Sequence, residues 1–175
     1  ETPTLSETAY QNTTNTGGFN LQASKSEHLE FGSKWLPNAT SRVDAAWFHI
    51  KTDNEIAVDS SSGNTTYKNV GKTVRDGIEI SGRTLLNTHW RTQASYNYIS
   101  ATYQEGFTGV PVGNSLPSVP ARQLFSSIQW SEKGFAPAGQ KPALGLEAGL
   151  DLISRSSMWA NDTNSSTAAD YALAP

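Results

Sequence analysis

Apolar and polar residues alternate along much of this chain, with a period of two rather than the 3.6 of a helix. The alternation is clearest over Trp90–Tyr103, where the even positions are mainly aromatic or small and the odd positions begin with four hydrogen-bonding side chains. Residues 143–153 follow the same pattern, with leucine or alanine at every even position from Leu144 to Leu152. Because successive side chains of a strand point to opposite sides, each segment is predicted to be a strand with one apolar face.

Four further segments alternate in the same way, although less regularly. They are residues 27–35, 42–51, 74–82 and 122–130. Phe48 and Ile50 interrupt the polar positions of the second segment, and Phe125 interrupts those of the fourth. Two shorter segments, 55–58 and 65–70, flank the turn sequence SSSGN and predict a hairpin outside the main strands. The chain is therefore predicted to be all-β, with about six long antiparallel strands.

The predicted strands are joined by connections that alternate in length. The short ones are 36–41 with its Pro-Asn turn, 85–89 and the Gly/Pro-rich link 134–142, and the long polar ones are 53–64, 104–116 and 156–175. Trp35, Trp90 and Trp130 all fall beside short connections. Short turns at one end, long loops at the other and an aromatic girdle are typical of bacterial outer-membrane barrels. We therefore expect loop 104–116 to be extracellular and link 36–40 to be periplasmic.

The composition restricts the class of protein further. The chain has 175 residues, a formal net charge of −3 and no basic run, which argues against a nucleic-acid partner. It has no cysteine, and therefore no disulfide framework or thiolate metal site. No run of about 18 apolar residues is present, which excludes a spanning helix, whereas a barrel strand needs alternate apolar positions over about 9–11 residues. The polar N-terminus does not resemble a signal peptide, so either a leader has been removed or the chain begins within a longer protein.

A soluble β-sandwich that serves as a binding or adhesion module is the alternative, since its strands also alternate. Three features favour the barrel. The predicted strands are longer than the roughly 5–6 residues that are usual for strands. Their polar positions carry Glu, Asp, Arg, Gln and Gly rather than the Lys and Thr of a solvated sheet, and the loop lengths alternate by side.

Four segments, in order along residues 21–130, resemble sequences of TonB-dependent outer-membrane receptors. The first is LQASKSEHLEFGSKW, in which Leu21, Ser26, Glu30, Gly32 and Lys34 stand at family positions while QAS departs from the usual Lys/Pro/Glu run. The second is RVDAAWFHIKTDNEI, and the fourth is GNSLPSVPARQLFSSIQW. The third and most specific is YKNVGKTVRDGIEIS, whose Tyr, Asn-Val-Gly and Arg-x-Gly-Ile-Glu are similar to a signature of these receptors.

The resemblance implies that residues 1–175 are a fragment of a 22-stranded β-barrel domain, without the N-terminal plug domain that fills the lumen. It implies an outer-membrane transport receptor for a metal chelate, in the first place a ferric siderophore, energised through TonB, with no enzyme activity and no cofactor. The implied partners are the chelate, outer-membrane lipid, the receptor's own plug and TonB. Arg75 and Glu79, on the predicted lumen face, are candidates for bonds to the plug, and an ordinary cross-strand network is the alternative.

Chemical sites are sparse in the sequence. The three histidines lie far apart without the spacing of metal ligands, and no nucleophile elbow or phosphate-binding loop is present. Tyr103, Phe107 and Trp159 lie in or beside the predicted long loops and are the candidates for contact with a chelate. The alternative is that they are exposed or interfacial aromatic residues without a ligand.

Overall fold

The computed structural model describes residues 2–4, 7–8, 21–60, 66–107, 109–135 and 145–174, and its regular structure is almost entirely strand. In chain order the strands are β1 Lys25–Asn38, β2 Ser41–Asp53, β3 Ile56–Ser60, β4 Thr66–Asn69, β5 Thr73–Leu85, β6 Trp90–Tyr103, β7 Arg122–Ser131, β8 Glu147–Arg155, β9 Met158–Trp159, β10 Thr167–Ala168 and β11 Tyr171–Leu173. Within these ranges, no helix is long and apolar enough to cross a membrane. The prediction of about six long strands is confirmed by β1, β2, β5, β6, β7 and β8.

The long strands form one antiparallel sheet in the order β1-β2-β5-β6-β7-β8-β11. Strands β3 and β4 pair with each other as a separate hairpin between β2 and β5, as the segments 55–58 and 65–70 predicted. In the part of the chain that the structure describes, the other sheets have only two strands each, so no second large sheet covers the first. This arrangement is a section of a barrel wall and not a sandwich.

The start of β8 differs from the prediction. The alternation predicted a strand from residue 143, but β8 begins at Glu147, opposite Ser131 at the end of β7. Residue 144 lies outside the described residues, and Leu146 precedes the strand. The reason is that an alternating sequence extends as a strand only where a neighbour offers backbone partners, and β7 ends at Ser131.

The pairing register places the apolar residues of neighbouring strands side by side, and likewise the polar ones. The sheet therefore has an apolar face and a polar face. One row of the apolar face is Phe31, Trp47, Ile78 and Tyr98. The next row on the polar face is Ala46, Glu79, Asn97 and Gln123. The side chains of the apolar face remain open, with Phe31 66% and Leu150 50% exposed. A surface of this kind requires lipid or another apolar layer over it.

The two ends of the sheet differ. At the turn end, the connections are 39–40, 86–89 and 132–146, and at the loop end they are 54–72, 104–121 and 156–170. The Oδ1 atom of Asn38 accepts hydrogen bonds from the backbone N and the hydroxyl of Thr40, at 2.9 and 3.0 Å, which fixes the tight turn before β2. The predicted short link 134–142 lies almost entirely outside the described residues, which stop at Phe135 and resume at Gly145. Gly134, with a φ of 77°, lies at the start of this link, and the backbone N of the next residue, Phe135, donates to the carbonyl oxygen of Thr88 at 2.8 Å.

Three tryptophans lie on the apolar face close to the turn end, as predicted. Trp90 and Trp130 are directly opposite each other on β6 and β7, and Trp35 lies opposite Val43. This row of amphipathic rings matches the aromatic girdle that lies at one membrane interface of a transmembrane barrel.

The buried hydrophobic residues of the described chain lie at the loop end. Val70, Ala101, Tyr103, Val110 and Leu116 form one cluster, and each is less than 7% exposed. The cluster packs loop residues against the end of β6, instead of filling a space between two sheets. The loop end is therefore the compact part of this chain.

Gly77, on the polar face of β5, makes room for an aromatic ring. A Cβ atom at this position would collide with the ring of Phe48 and would lie 2.6 Å from the carbonyl oxygen of Tyr98. Phe48, which interrupted the predicted polar alternation, is thus accommodated by the absence of a side chain on the neighbouring strand.

Replacement of Gly77 by alanine should lower the stability of the folded barrel by about 1–3 kcal/mol, because Phe48 and the β6 backbone must move apart. The change is measured in the intact receptor by urea titration. The folded fraction is read from the band on an unheated gel that shifts when the sample is heated. Gly82→Ala is the matched control on the same strand, since the nearest atom to its Cβ, the carbonyl oxygen of Arg42, would be 3.7 Å away. Equal urea midpoints for the two variants would contradict the packing role of Gly77.

Candidate functional site

Tyr103, the last residue of β6, is the centre of the loop end. Its side chain is only 2% exposed, and its hydroxyl donates to Oδ1 of Asp162 at 2.6 Å. Its backbone N donates to the carbonyl oxygen of Asn114, and its own carbonyl accepts from the N of Gly113, both at 2.9 Å. The structure therefore places Tyr103 inside the protein, where it ties two loops to the end of the strand.

Loops 104–121 and 156–170 are joined by several further hydrogen bonds. The side-chain amide of Asn114 donates to the carbonyl oxygen of Asp162 at 2.9 Å. Ser115 and Asn164 bind each other twice, through the N of Ser115 at 2.8 Å and through its carbonyl oxygen at 2.9 Å. Tyr103, Asn114, Ser115, Asp162 and Asn164 together are called the loop junction below. It holds the two loops as one unit at the mouth of the barrel.

Phe107 and Trp159 occupy different parts of this unit. The ring of Phe107 packs edge-on against Tyr103, with ring centres 5.1 Å apart, and the Nζ of Lys68 lies 5.0 Å from its centre. Trp159 lies in the β9–β10 hairpin, where its carbonyl oxygen accepts from the N of Ser118 at 2.8 Å. Both aromatic side chains are partly exposed. The structure thus brings Tyr103 and Phe107 together, while contact of any of the three with a chelate stays a prediction.

A charged group lies beside the loop junction on the polar face. The guanidinium of Arg75 donates to Oε2 of Glu55 at 2.9 Å and to the hydroxyl of Thr73 at 3.0 Å. That hydroxyl in turn donates to the same oxygen of Glu55 at 2.7 Å. Glu79 makes no hydrogen bond or ion pair to another described residue. Of the predicted pair, Arg75 is thus hydrogen-bonded and ion-paired within this chain. Glu79 lies on the polar face without a partner among the described residues.

Sequence reasoning missed Glu55 and Asp162. Glu55 is 20 residues from Arg75, and Asp162 is 59 residues from Tyr103. Glu55 stands in the Asn-Glu-Ile ending of the second family-like segment, but nothing in that segment indicates an ion pair with Arg75. Asp162 stands in no motif, and its only signal is its place in a long connection at the loop end.

The described residues hold no group of three or more His, Asp or Glu side chains that could bind a metal ion. Two histidines are engaged separately, since Nδ1 of His49 lies 2.5 Å from Oδ1 of Asp76 and Nδ1 of His89 lies 2.9 Å from the carbonyl oxygen of Ser131.

Long antiparallel strands with an open apolar face, a polar face and joined loops at one end define a section of a transmembrane β-barrel. The sequence matches the TonB dependent receptor-like β-barrel family over residues 1–174, and the chain belongs to that family. TonB-dependent receptors are transporters and not enzymes.

Solved receptor structures share this fold. The ferric yersiniabactin uptake receptor FyuA from Yersinia pestis is 19% identical, with a TM-score of 0.67 over 86% of this chain and 21% of that one. The ferric preacinetobactin receptor BauA from Acinetobacter baumannii is 19% identical, with a TM-score of 0.65 over 85% and 21%. The copper transporter OprC is 15% identical, with a TM-score of 0.65 over 90% and 23%. The chain spans about a fifth of the length of these structures, and the likeness establishes its fold.

Proposed function

We propose that residues 1–175 are a section of the barrel domain of a receptor that imports a metal chelate across the bacterial outer membrane. The observation that carries the proposal is the sheet itself, whose open apolar face and polar face suit a wall between lipid and a lumen. Import is energised through TonB, and a plug domain elsewhere in the receptor fills the lumen. The polar face, including Glu79, lies against that plug.

The substrate class that we propose is a ferric siderophore. Two of the similar structures are receptors for ferric preacinetobactin and for ferric yersiniabactin, which supports iron as the metal. The third is a copper transporter, so copper is the second candidate. A metal held by an organic chelator is recognised through the organic shell, which aromatic and polar loop residues are suited to bind.

We propose further that the loop aromatics contribute to the chelate site at the loop end. Phe107 and Trp159 are partly exposed and can offer ring surface to a ligand. Tyr103 acts by holding Phe107 and the loop junction in place, because its own ring is buried and its hydroxyl is bonded to Asp162.

Uptake measurements test the function. A strain that lacks its own ferric-siderophore receptors, given the complete receptor, should grow on one or more ferric siderophores as sole iron source and should lose that growth when TonB is deleted. A matched strain with the empty vector is the control. If the strain grows on no ferric siderophore and instead accumulates copper in a TonB-dependent way, then copper and not iron is the metal that the receptor imports.

The orientation of the barrel gives a second test. A peptide epitope inserted in loop 104–116 should be labelled on intact cells, whereas one in link 36–40 should be labelled only after the outer membrane is opened. The reason is that long loops of such barrels face outward and short turns face the periplasm. Labelling of the 36–40 insertion alone on intact cells would reverse the orientation.

A further inference from the structure

The β3–β4 hairpin is folded over the polar face of the sheet where it joins β2 and β5. This part of the hairpin, residues 54–58 and 66–71, is called the hairpin base below. Its Val70 is 3% exposed and belongs to the buried cluster at the loop end. Ala101 and Tyr103 of the same cluster stand at odd positions of β6, the positions that form the polar face. The hairpin base therefore covers the side of the sheet that faces the inside of the barrel.

Glu55 attaches the hairpin base to the sheet. Its backbone N donates to the carbonyl oxygen of Gly71 at 3.0 Å, and its carbonyl oxygen accepts from the N of Val70 at 2.8 Å, which closes the base. Its side chain reaches β5, where Oε2 accepts from the fully buried hydroxyl of Thr73 at 2.7 Å and from the guanidinium of Arg75 at 2.9 Å. One carboxylate thus binds two residues of the polar face.

The Glu55 attachment is stronger than the other ion pair near the hairpin base. The side chains of Glu55 and Arg75 are each 23% exposed, whereas those of Lys72 and Glu105 are 58% and 49% exposed and their charged atoms are 3.2 Å apart. A partly buried carboxylate with two hydrogen bonds contributes more than an exposed pair, which water and salt screen. Glu105 is therefore a suitable acid for comparison with Glu55.

Phe107 links the hairpin base to recognition. Its side chain packs against the buried cluster, and its ring centre lies 5.1 Å from that of Tyr103. The Nζ of Lys68, on β4 of the hairpin base, lies 5.0 Å from the same ring. The ring is thus bounded by the hairpin base as well as by the end of β6, so its position depends on both.

We propose that Glu55 is a positioning residue, which holds the hairpin base against the polar face and thereby keeps Phe107 in place for the chelate. The effect on the chelate rests on the proposed function, whereas the attachment of the hairpin base does not. Removal of the Glu55 carboxylate should open the base locally while the barrel wall stays intact. The reason is that β5 and β6 pair with each other from Thr73 to Leu85 independently of the hairpin.

Cysteine labelling in the purified complete receptor tests the attachment. Residues 1–175 have no cysteine, and any elsewhere in the receptor is first replaced by serine. The thiol introduced by Ala101→Cys, at a position 5% exposed, should react slowly with a water-soluble maleimide. Glu55→Ala should raise the labelling rate about tenfold, because two hydrogen bonds to the carboxylate are lost. Arg75→Ala should raise it as well, and both changes together no further, since they remove the same contact. Glu105→Ala is the matched control and should leave the rate unchanged.

Uptake provides the second readout. A ferric siderophore that supports growth through this receptor, labelled with radioactive iron, is used as the probe. Glu55→Ala should raise the half-saturation concentration of uptake about fivefold and leave the maximal rate unchanged, because the chelate binds less well while transport itself is not altered. Urea titration of the same variant should give the midpoint of the unaltered receptor, which distinguishes local opening from a weakened barrel.

The outcomes that would overturn the proposal are specific. An unchanged labelling rate in Glu55→Ala, or an equal increase in Glu105→Ala, would exclude the attachment. Faster labelling together with a lowered urea midpoint would show a general role in stability, and faster labelling with unaltered uptake would exclude the positioning of Phe107. If Ala101→Cys gives no folded band on an unheated gel, trypsin cleavage after Lys68 measures the same opening. Absence of siderophore uptake by the unaltered receptor would refute the proposed function, and the labelling rates would still decide whether Glu55 holds the hairpin base.

Discussion

Residues 1–175, produced alone without detergent, should fail to give a stable soluble monomer. The reason is that β1 and β11 are the two edges of the sheet that the described residues form, and such edges associate with other chains. The apolar face adds to the effect, since Phe31, Trp35 and Leu150 are each at least half exposed. We expect soluble aggregates or precipitate in place of a monomer peak on size-exclusion chromatography, and no cooperative thermal transition.

The same chain in detergent micelles is the control for this experiment. Detergent covers the apolar face but not the edges, so it should reduce aggregation without producing a closed fold. A monodisperse monomer with a cooperative melt in plain buffer would show that the chain closes on itself, and the barrel assignment of these residues would then be wrong.

An arginine at position 150 should lower the stability of the folded barrel by about 2–4 kcal/mol. Leu150 lies near the middle of β8, opposite Ile128 on the apolar face, and is 50% exposed toward the surrounding medium. Because lipid hydrocarbon does not solvate a guanidinium, the cost is greatest at mid-depth. Urea titration of the folded band of the complete receptor measures the change.

Two control variants locate the effect. Asp151→Arg places the same side chain next along the strand but on the polar face, and should be tolerated far better. Ala148→Arg remains on the apolar face but lies opposite Trp130, close to the interface, where the cost falls to about 0–1 kcal/mol. Similar losses for Leu150→Arg and Asp151→Arg would count against the assignment of the two faces.

The strands were predictable from the sequence wherever one face is consistently apolar. The bounds of β6 agree with the predicted segment, because its even positions from Trp90 to Tyr98 are aromatic or small and its odd positions polar. The start of β8 was not predictable in the same way, since it depends on where β7 ends and not on the residues of β8. Alternation determines which face a residue joins, whereas pairing determines how far a strand extends.

The loop end was predictable only in part. The positions of Tyr103 and Phe107 at the end of a strand and the start of a long loop followed from the pattern of the chain. The burial of Tyr103 did not, because it depends on Asp162, which is 59 residues away and belongs to another loop. Ile99 likewise interrupts the polar alternation for a reason visible only in three dimensions, since it packs against the buried cluster.

The loop junction has a consequence for how such a receptor can diversify. Loops 104–121 and 156–170 recognise each other through their main chains and through Asn114 and Asn164, with bonds that depend on the length of both. An insertion or deletion in one loop would misplace the bonding groups of the other. New ligand preferences are therefore expected to arise by inheritance or exchange of the two loops as a pair. A chimeric receptor that receives both loops from a relative should keep the hydrogen bonds between them. A chimera that receives a single loop should lose those bonds.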